Sequence, residues 1–156
     1  MVDTSPCAYT LKTCGPDLPA DLRRSYEQLR ITDGIQFALE FVVPNLTARH
    51  PAAGVVLHPV CSVVKMDLVE SMVAVVEPFA EDVVVPEAAG CCGFAGDRGF
   101  LVPELTESAT RSEAHEVEAR EFNGFYSSSR TCEIGMTRAT SRPYRSFWYL
   151  LDEAMQ

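Results

Sequence analysis

Gly54-Val55-Val56-Leu57-His58-Pro59-Val60-Cys61 decides the fold of this chain. The apolar run Val55-Val56-Leu57 is too short for a helix and reads as a strand buried on both faces. Pro59 ends it, and a cysteine follows at once. The same arrangement returns twice downstream. Val83-Val84-Val85-Pro86 predicts a second buried strand leading into Cys91-Cys92, and Gly124-Phe125-Tyr126-Ser127 a third leading to Cys132. Helical patterns lie between them: residues 64–76, closed by Pro78, and a long polar stretch over 103–122, rich in Glu, Ala and Arg. Strand and helix in alternation predict an α/β fold of three layers, with a parallel sheet of about four strands flanked by helices.

Working outward, residues 19–30 carry Leu22, Tyr26 and Leu29 at helical spacing. Thr32-Asp33 is placed to cap a second amphipathic segment over 35–43, which Pro44 ends. Residues 144–155 predict a closing helix, with Phe147, Trp148, Tyr149, Leu150 and Leu151 covering the sheet. No linker or low-complexity tract interrupts the pattern. The 156 residues amount to one domain with a core of its own.

The formal charge of −9 argues against nucleic acid as a partner, because phosphate binding needs a basic surface. No stretch approaches the roughly 20 apolar residues of a membrane span. The first residues, Met1-Val2-Asp3-Thr4-Ser5-Pro6-Cys7, lack the basic and apolar regions of a signal peptide. The expectation is therefore a cytoplasmic protein, where thiols stay reduced and a cysteine cluster reads as metal-binding or redox-active.

Cys61, Cys91-Cys92 and Cys132 each follow the carboxyl end of an expected strand. In open α/β sheets those ends share one edge, where ligands bind. Adjacent cysteines such as Cys91 and Cys92 rarely pair with each other, but they can converge on one soft metal centre where glycines let the backbone bend. Gly93 and Gly96 supply that freedom in the loop spanning residues 90–99, and Arg98 can offset thiolate charge. Four thiolates are what a [4Fe–4S] cluster or a structural zinc requires. The plainer alternative is four small buried side chains. His58 is a candidate ligand or hydrogen-bond donor to the centre, or a packing residue, while His50 and His115 read as solvent-facing. The glycine loop lacks the spacing of a phosphate cradle. A nucleophilic Cys61–His58 pair has no third group to orient it. Arg130, Arg138, Arg142 and Arg145 form either a docking face for an anionic partner or an ordinary solvated surface with salt bridges.

These residues resemble the cysteine-rich CCG domain of iron–sulfur oxidoreductases, whose pattern is a Cys, then Cys-Cys-Gly, then Cys-x-x-Cys. His58-Pro59-Val60-Cys61-Ser62, the loop Gly90-Cys91-Cys92-Gly93-Phe94-Ala95-Gly96-Asp97-Arg98-Gly99 and Ser129-Arg130-Thr131-Cys132-Glu133-Ile134-Gly135 carry the likeness. It is strongest to the C-terminal region of bacterial FAD-linked oxidases of the D-lactate dehydrogenase type, in which flavin and iron–sulfur regions are fused. The resemblance implies residues 1–16 as the tail of a preceding CCG repeat, with Cys7 in its terminal motif, and 17–156 as the second repeat plus a C-terminal helix. It implies a [4Fe–4S] cluster on Cys61, Cys91, Cys92 and Cys132, with zinc as the alternative metal. FAD is expected only on a partner region, and the partners are a flavin-binding domain or subunit and the preceding repeat. A place at the inner membrane face through those partners is compatible with it. The implied role is electron relay within an oxidoreductase, without catalysis by this chain alone; the alternatives are a structural zinc domain or a metal-free docking module. Ser129 stands where the fullest motif has its first terminal cysteine, and Cys14 matches no motif position.

Overall fold

The computed structural model describes residues 1–156. Its helices and strands are, in chain order, α1 (Ser5–Thr13), α2 (Ala20–Tyr26), α3 (Gly34–Phe37), β1 (Val55–His58), α4 (Cys61–Lys65), α5 (Val69–Val76), β2 (Val83–Val84), α6 (Arg98–Leu101), α7 (Pro103–Glu118), β3 (Gly124–Ser127), α8 (Arg130–Thr140), β4 (Arg145–Ser146) and α9 (Phe147–Glu153). The four strands form one sheet in the order β2-β1-β3-β4, and every pairing is parallel. The α/β fold with a four-stranded parallel sheet expected from the sequence is the fold observed.

Alternation along β1 sorts its side chains between two cores. Val55 and Leu57 enter the larger one with Val75, Val76, Phe79, Tyr126, Phe147, Leu150 and Leu151. Val56 enters the smaller one with Val117, Phe125, Met136 and Tyr144. The first core therefore lies under α5 and α9, and the second under α7 and α8. His58 has the parity of Val56, which sends its side chain toward α7. Burying each of the large apolar residues contributes about 1.5–3 kcal/mol, so the larger cluster holds most of the fold's stability.

Several elements depart from expectation. The helix expected over 64–76 is two helices, α4 and α5, separated where Asp67 takes a left-handed conformation with φ 57°. Asp tolerates that conformation better than most residues. The helix expected over 19–30 shrinks to α2, which has no buried residue; Leu22 and Leu29 are exposed, and Tyr26 alone is held, its hydroxyl donating to the Leu11 carbonyl at 2.7 Å. Asp33 does cap α3, accepting the Ile35 N–H at 2.8 Å, but the segment widens into a π turn over Ala38–Val42. The second strand keeps only Val83–Val84 and is half-buried, as suits a sheet edge. The helix α8 and the edge strand β4 have no counterpart among the expected elements. Phe147, Leu150 and Leu151 join the core, whereas Tyr149 faces solvent. Residues 1–16 pack onto the body: Val2 pairs with Asp33, and the Ser5 hydroxyl bonds that of Ser128 at 3.1 Å.

Candidate metal centre

The strand order reverses direction between β1 and β3, since β2 lies to one side of β1 and β3 to the other. In such sheets the connections leave in opposite directions and open a crevice at the carboxyl ends. His58 ends β1, and Ser127 ends β3 beside it. Cys61 begins α4, and Cys132 lies in the first turn of α8. The loop after β2 brings in Cys91 and Cys92.

The Sγ atoms of Cys92 and Cys132 are 2.6 Å apart, and both residues are buried. A ring nitrogen of His58 completes a group whose ligand atoms all lie within 4.8 Å of one another. Cys61 and Cys91 are exposed at the rim. They still act on the buried Cys132, whose thiol both raise, while burial raises the Cys61 thiol first and Cys91 and Cys92 raise it further. Of the four cysteines singled out in the sequence, the structure brings Cys92 and Cys132 together with His58, and leaves Cys61 and Cys91 at the rim, near enough to act on them.

Local backbone geometry explains why the loop can do this. Gly93 has φ +69°, and a Cβ there would meet the Leu105 carbonyl at 2.6 Å and Ala109 Cβ at 2.8 Å. Only glycine permits both the left-handed turn and the approach to α7. The turn presents N–H groups to sulfur: Gly93 N–H donates to Cys91 Sγ at 3.4 Å, and Phe94 N–H to Cys92. Gly135 on α8 allows the other side to close, because a Cβ there would already touch Thr106, Phe94 and Cys92 at 3.2–3.6 Å. Gly96 lies on the open outer side of the loop with nothing near it. Arg98 is exposed, at the start of α6.

Charge is compensated inside the site. The Cys132 thiol donates to Cys92 and holds its pKa well below the usual thiol range; burial opposes this, and His58 and the Phe94 amide reinforce it. Cys132 is pushed up in turn, by Cys92 first and by burial second. For His58, burial opposes the charged ring, but the contacts with Cys92 and Glu113 outweigh it and raise the pKa to about 9. Metal-free, the buried group is therefore a thiolate on Cys92 held by an imidazolium and a thiol. Once Cys132 and His58 release their protons, two sulfurs and a buried nitrogen are the donor chemistry that soft and borderline metals take.

Glu113 is the participant that sequence reasoning missed. It is 2% exposed on α7, with its two carboxylate oxygens 2.8 and 3.0 Å from His58 Nδ1. It belongs to an inward stripe of α7 with Thr106, Thr110 and Val117, a helical spacing that was readable in the polar segment. One turn on, Glu116 accepts the N–H groups of Glu87 and Ala88, both at 2.9 Å. Helix α7 thereby carries the chain leading to the double cysteine.

The remaining candidates lie elsewhere. His50 and His115 are exposed, as expected. Three of the four C-terminal arginines pair with carboxylates, Arg130 with Glu133, Arg142 with Glu121 and Arg145 with Glu153, which fits the ordinary salt-bridge reading. Cys7 and Cys14 sit at the two ends of α1 as free thiols. A groove of about 510 Å³ between α7 and α8 has no cysteine in its lining. No helix is long and apolar enough to cross a membrane. Compared with models of known protein families and with curated proteins, the chain matches none.

Proposed function

We propose that the chain is an iron–sulfur electron-transfer domain, relaying electrons from the flavin of an FAD-linked 2-hydroxy-acid dehydrogenase of D-lactate type. The observation that carries this reading is the buried Cys92–Cys132 contact with exposed Cys61 and Cys91 at its rim, thiols that follow three different strand ends. Cys61, Cys91, Cys92 and Cys132 would hold a [4Fe–4S] cluster, which when bound supplies reversible one-electron chemistry. The chain's own residues hold the sulfurs in place, direct backbone N–H groups at them and set buried His58 against their negative charge. Such hydrogen bonds and charges tune the potential of a thiolate-bound cluster. Exposed Cys61 and Cys91 keep the outer side within reach of a partner. That partner is a flavin-binding domain or subunit, with a preceding CCG repeat, on the cytoplasmic side of the cell. FAD resides there, and this chain alone is not expected to oxidise lactate.

Anaerobic purification followed by metal analysis tests this. The expected result is visible thiolate-to-iron absorption with about four irons per chain, lost in C92S and C132S. A colourless protein with one stoichiometric zinc overturns it.

A second reading, structural zinc, is favoured by one specific observation. The His58, Cys92 and Cys132 ligand atoms lie within 4.8 Å of one another. Around a single tetrahedral ion with Zn–S near 2.3 Å, sulfurs stand about 3.8 Å apart. Cysteines on separate irons of a cubane stand farther apart than that. If C91S/C92S leaves fold, metal content and partner docking unchanged, a metal-free docking module replaces both readings.

A further inference from the structure

The buried carboxylate of Glu113 on α7, set against the end of β1, has no role in the readings above. Glu113 is a carboxylate almost wholly removed from water, and such a group is retained only where it is paired. Its partner is the Nδ1 side of His58, at 2.8 and 3.0 Å. A carboxylate only accepts, so Nδ1 carries the proton. The other ring nitrogen, Nε2, is buried and makes no hydrogen bond of ordinary length. A ring nitrogen of His58 lies within 4.8 Å of the Cys92 and Cys132 sulfurs, and with Nδ1 held by Glu113 the Nε2 side is the one left for Cys92, which contacts the ring. A neutral imidazole fixed in this tautomer presents the Nε2 lone pair to whatever the two sulfurs hold. Metal-bound histidines are oriented in this way, with the distal N–H on a carboxylate.

We propose that the centre has a mixed nitrogen–sulfur donor set, in which His58 Nε2 ligates the metal alongside Cys92 and Cys132, and Glu113 is the residue that positions His58 for it. This rests on the zinc reading of the site, in which one ion takes His58, Cys92 and Cys132; a cubane on the four cysteines would leave no iron for His58. Glu113 also accepts the Gly90 N–H at 3.4 Å, so it links the end of β1 to the cysteine loop. Positioning the ring is its distinct role; Glu116 one turn away tethers the same loop without touching His58.

The test is anaerobic Co(II) titration of the reduced full chain and of H58A, E113A, E113Q and E116A. In the unaltered chain, thiolate-to-cobalt charge transfer and a tetrahedral ligand field of mixed nitrogen and sulfur are expected. H58A shifts the ligand-field bands. E113A weakens cobalt binding about 10- to 100-fold, whereas E113Q, whose amide oxygen still accepts from Nδ1, recovers part of the loss. E116A, which loosens the cysteine loop, weakens binding less than E113A does and leaves the ligand-field bands in place. Ring nitrogen-15 shifts of the zinc-loaded chain should show His58 protonated at Nδ1. E113Q keeps the side-chain volume, so its spectrum and affinity stand as evidence if E113A fails to fold.

Unchanged bands in H58A, or equal losses in E113A and E116A, overturn the proposal while leaving a metal–thiolate site intact. Absence of thiolate-to-cobalt bands in the unaltered chain also overturns it. Iron and zinc analysis of the same preparation then decides separately whether the metal reading survives.

Discussion

Cys92 and Cys132 hold their sulfurs 2.6 Å apart across forty residues of sequence. The contact joins the loop after β2 to the first turn of α8, and it sits over the buried imidazole of His58. It requires close backbone approach on both sides, which Gly93 and Gly135 provide. The consequences below follow from that arrangement.

The cysteines should differ in weight. C92S and C132S each remove a buried donor and should abolish stoichiometric metal. C61S and C91S alter exposed donors at the rim, where water can take the vacant position, and should lower occupancy only in part. Metal-to-protein ratios of anaerobically prepared variants check the ranking; equal losses from all four substitutions would contradict it.

Gly93→Ala should destabilise the chain by roughly 2–5 kcal/mol. A left-handed non-glycine residue costs about 1–2 kcal/mol, and overpacking against a neighbouring helix about 1–3 kcal/mol. Urea unfolding measures the loss. A change below 1 kcal/mol would mean that the loop turns without needing glycine.

The buried thiolate has a pH signature in the reduced, metal-free chain. His58 is raised from 6.5 to about 9, while Cys92 is lowered. Between 6.5 and about 9 the folded pair holds one proton, on His58, and the unfolded pair also holds one, on the thiol. Stability from the pair is then flat. Between 6.5 and about 5 the unfolded pair binds two protons and the folded pair still one. Stability therefore falls as pH drops through that window, by about 1.4 kcal/mol per unit. Below about 5 Cys92 is protonated in the folded chain too and the dependence ends. Far-ultraviolet thiolate absorbance should show one thiolate per chain at neutral pH, and H58Q should move its titration upward. A thiolate first appearing near the ordinary thiol range would refute the assignment.

Ser141→Gly should stabilise the chain by up to about 1 kcal/mol. Ser141 ends α8 in the left-handed conformation, φ 55°, where glycine is the usual residue. Relieving the side-chain penalty outweighs the added freedom of the unfolded chain. Thermal unfolding of the two proteins, compared at one pH, is the check.

The cysteine positions were legible because each follows a short apolar strand, and strand ends of a parallel sheet share an edge. The rest was hidden for identifiable reasons. Glu113 sits in a segment whose many carboxylates look solvated, and only its register with Thr106, Thr110 and Val117 marks the inward face. Helix α8 contains Gly135 and three threonines, which lower helical propensity. Its packing against α7, for which Gly135 makes room, overrides that preference. Strand β4 is two residues long and carries no periodicity. The break at Asp67 depends on a single left-handed residue, which apolar spacing does not register.

The sheet is bounded on both sides by two-residue strands, β2 and β4. Rims so short offer few free backbone groups on which a foreign strand can template itself. Association of this chain with another protein is thereby steered away from strand addition and toward side-chain surfaces. Fibrillar self-assembly through the native sheet is discouraged by the same feature.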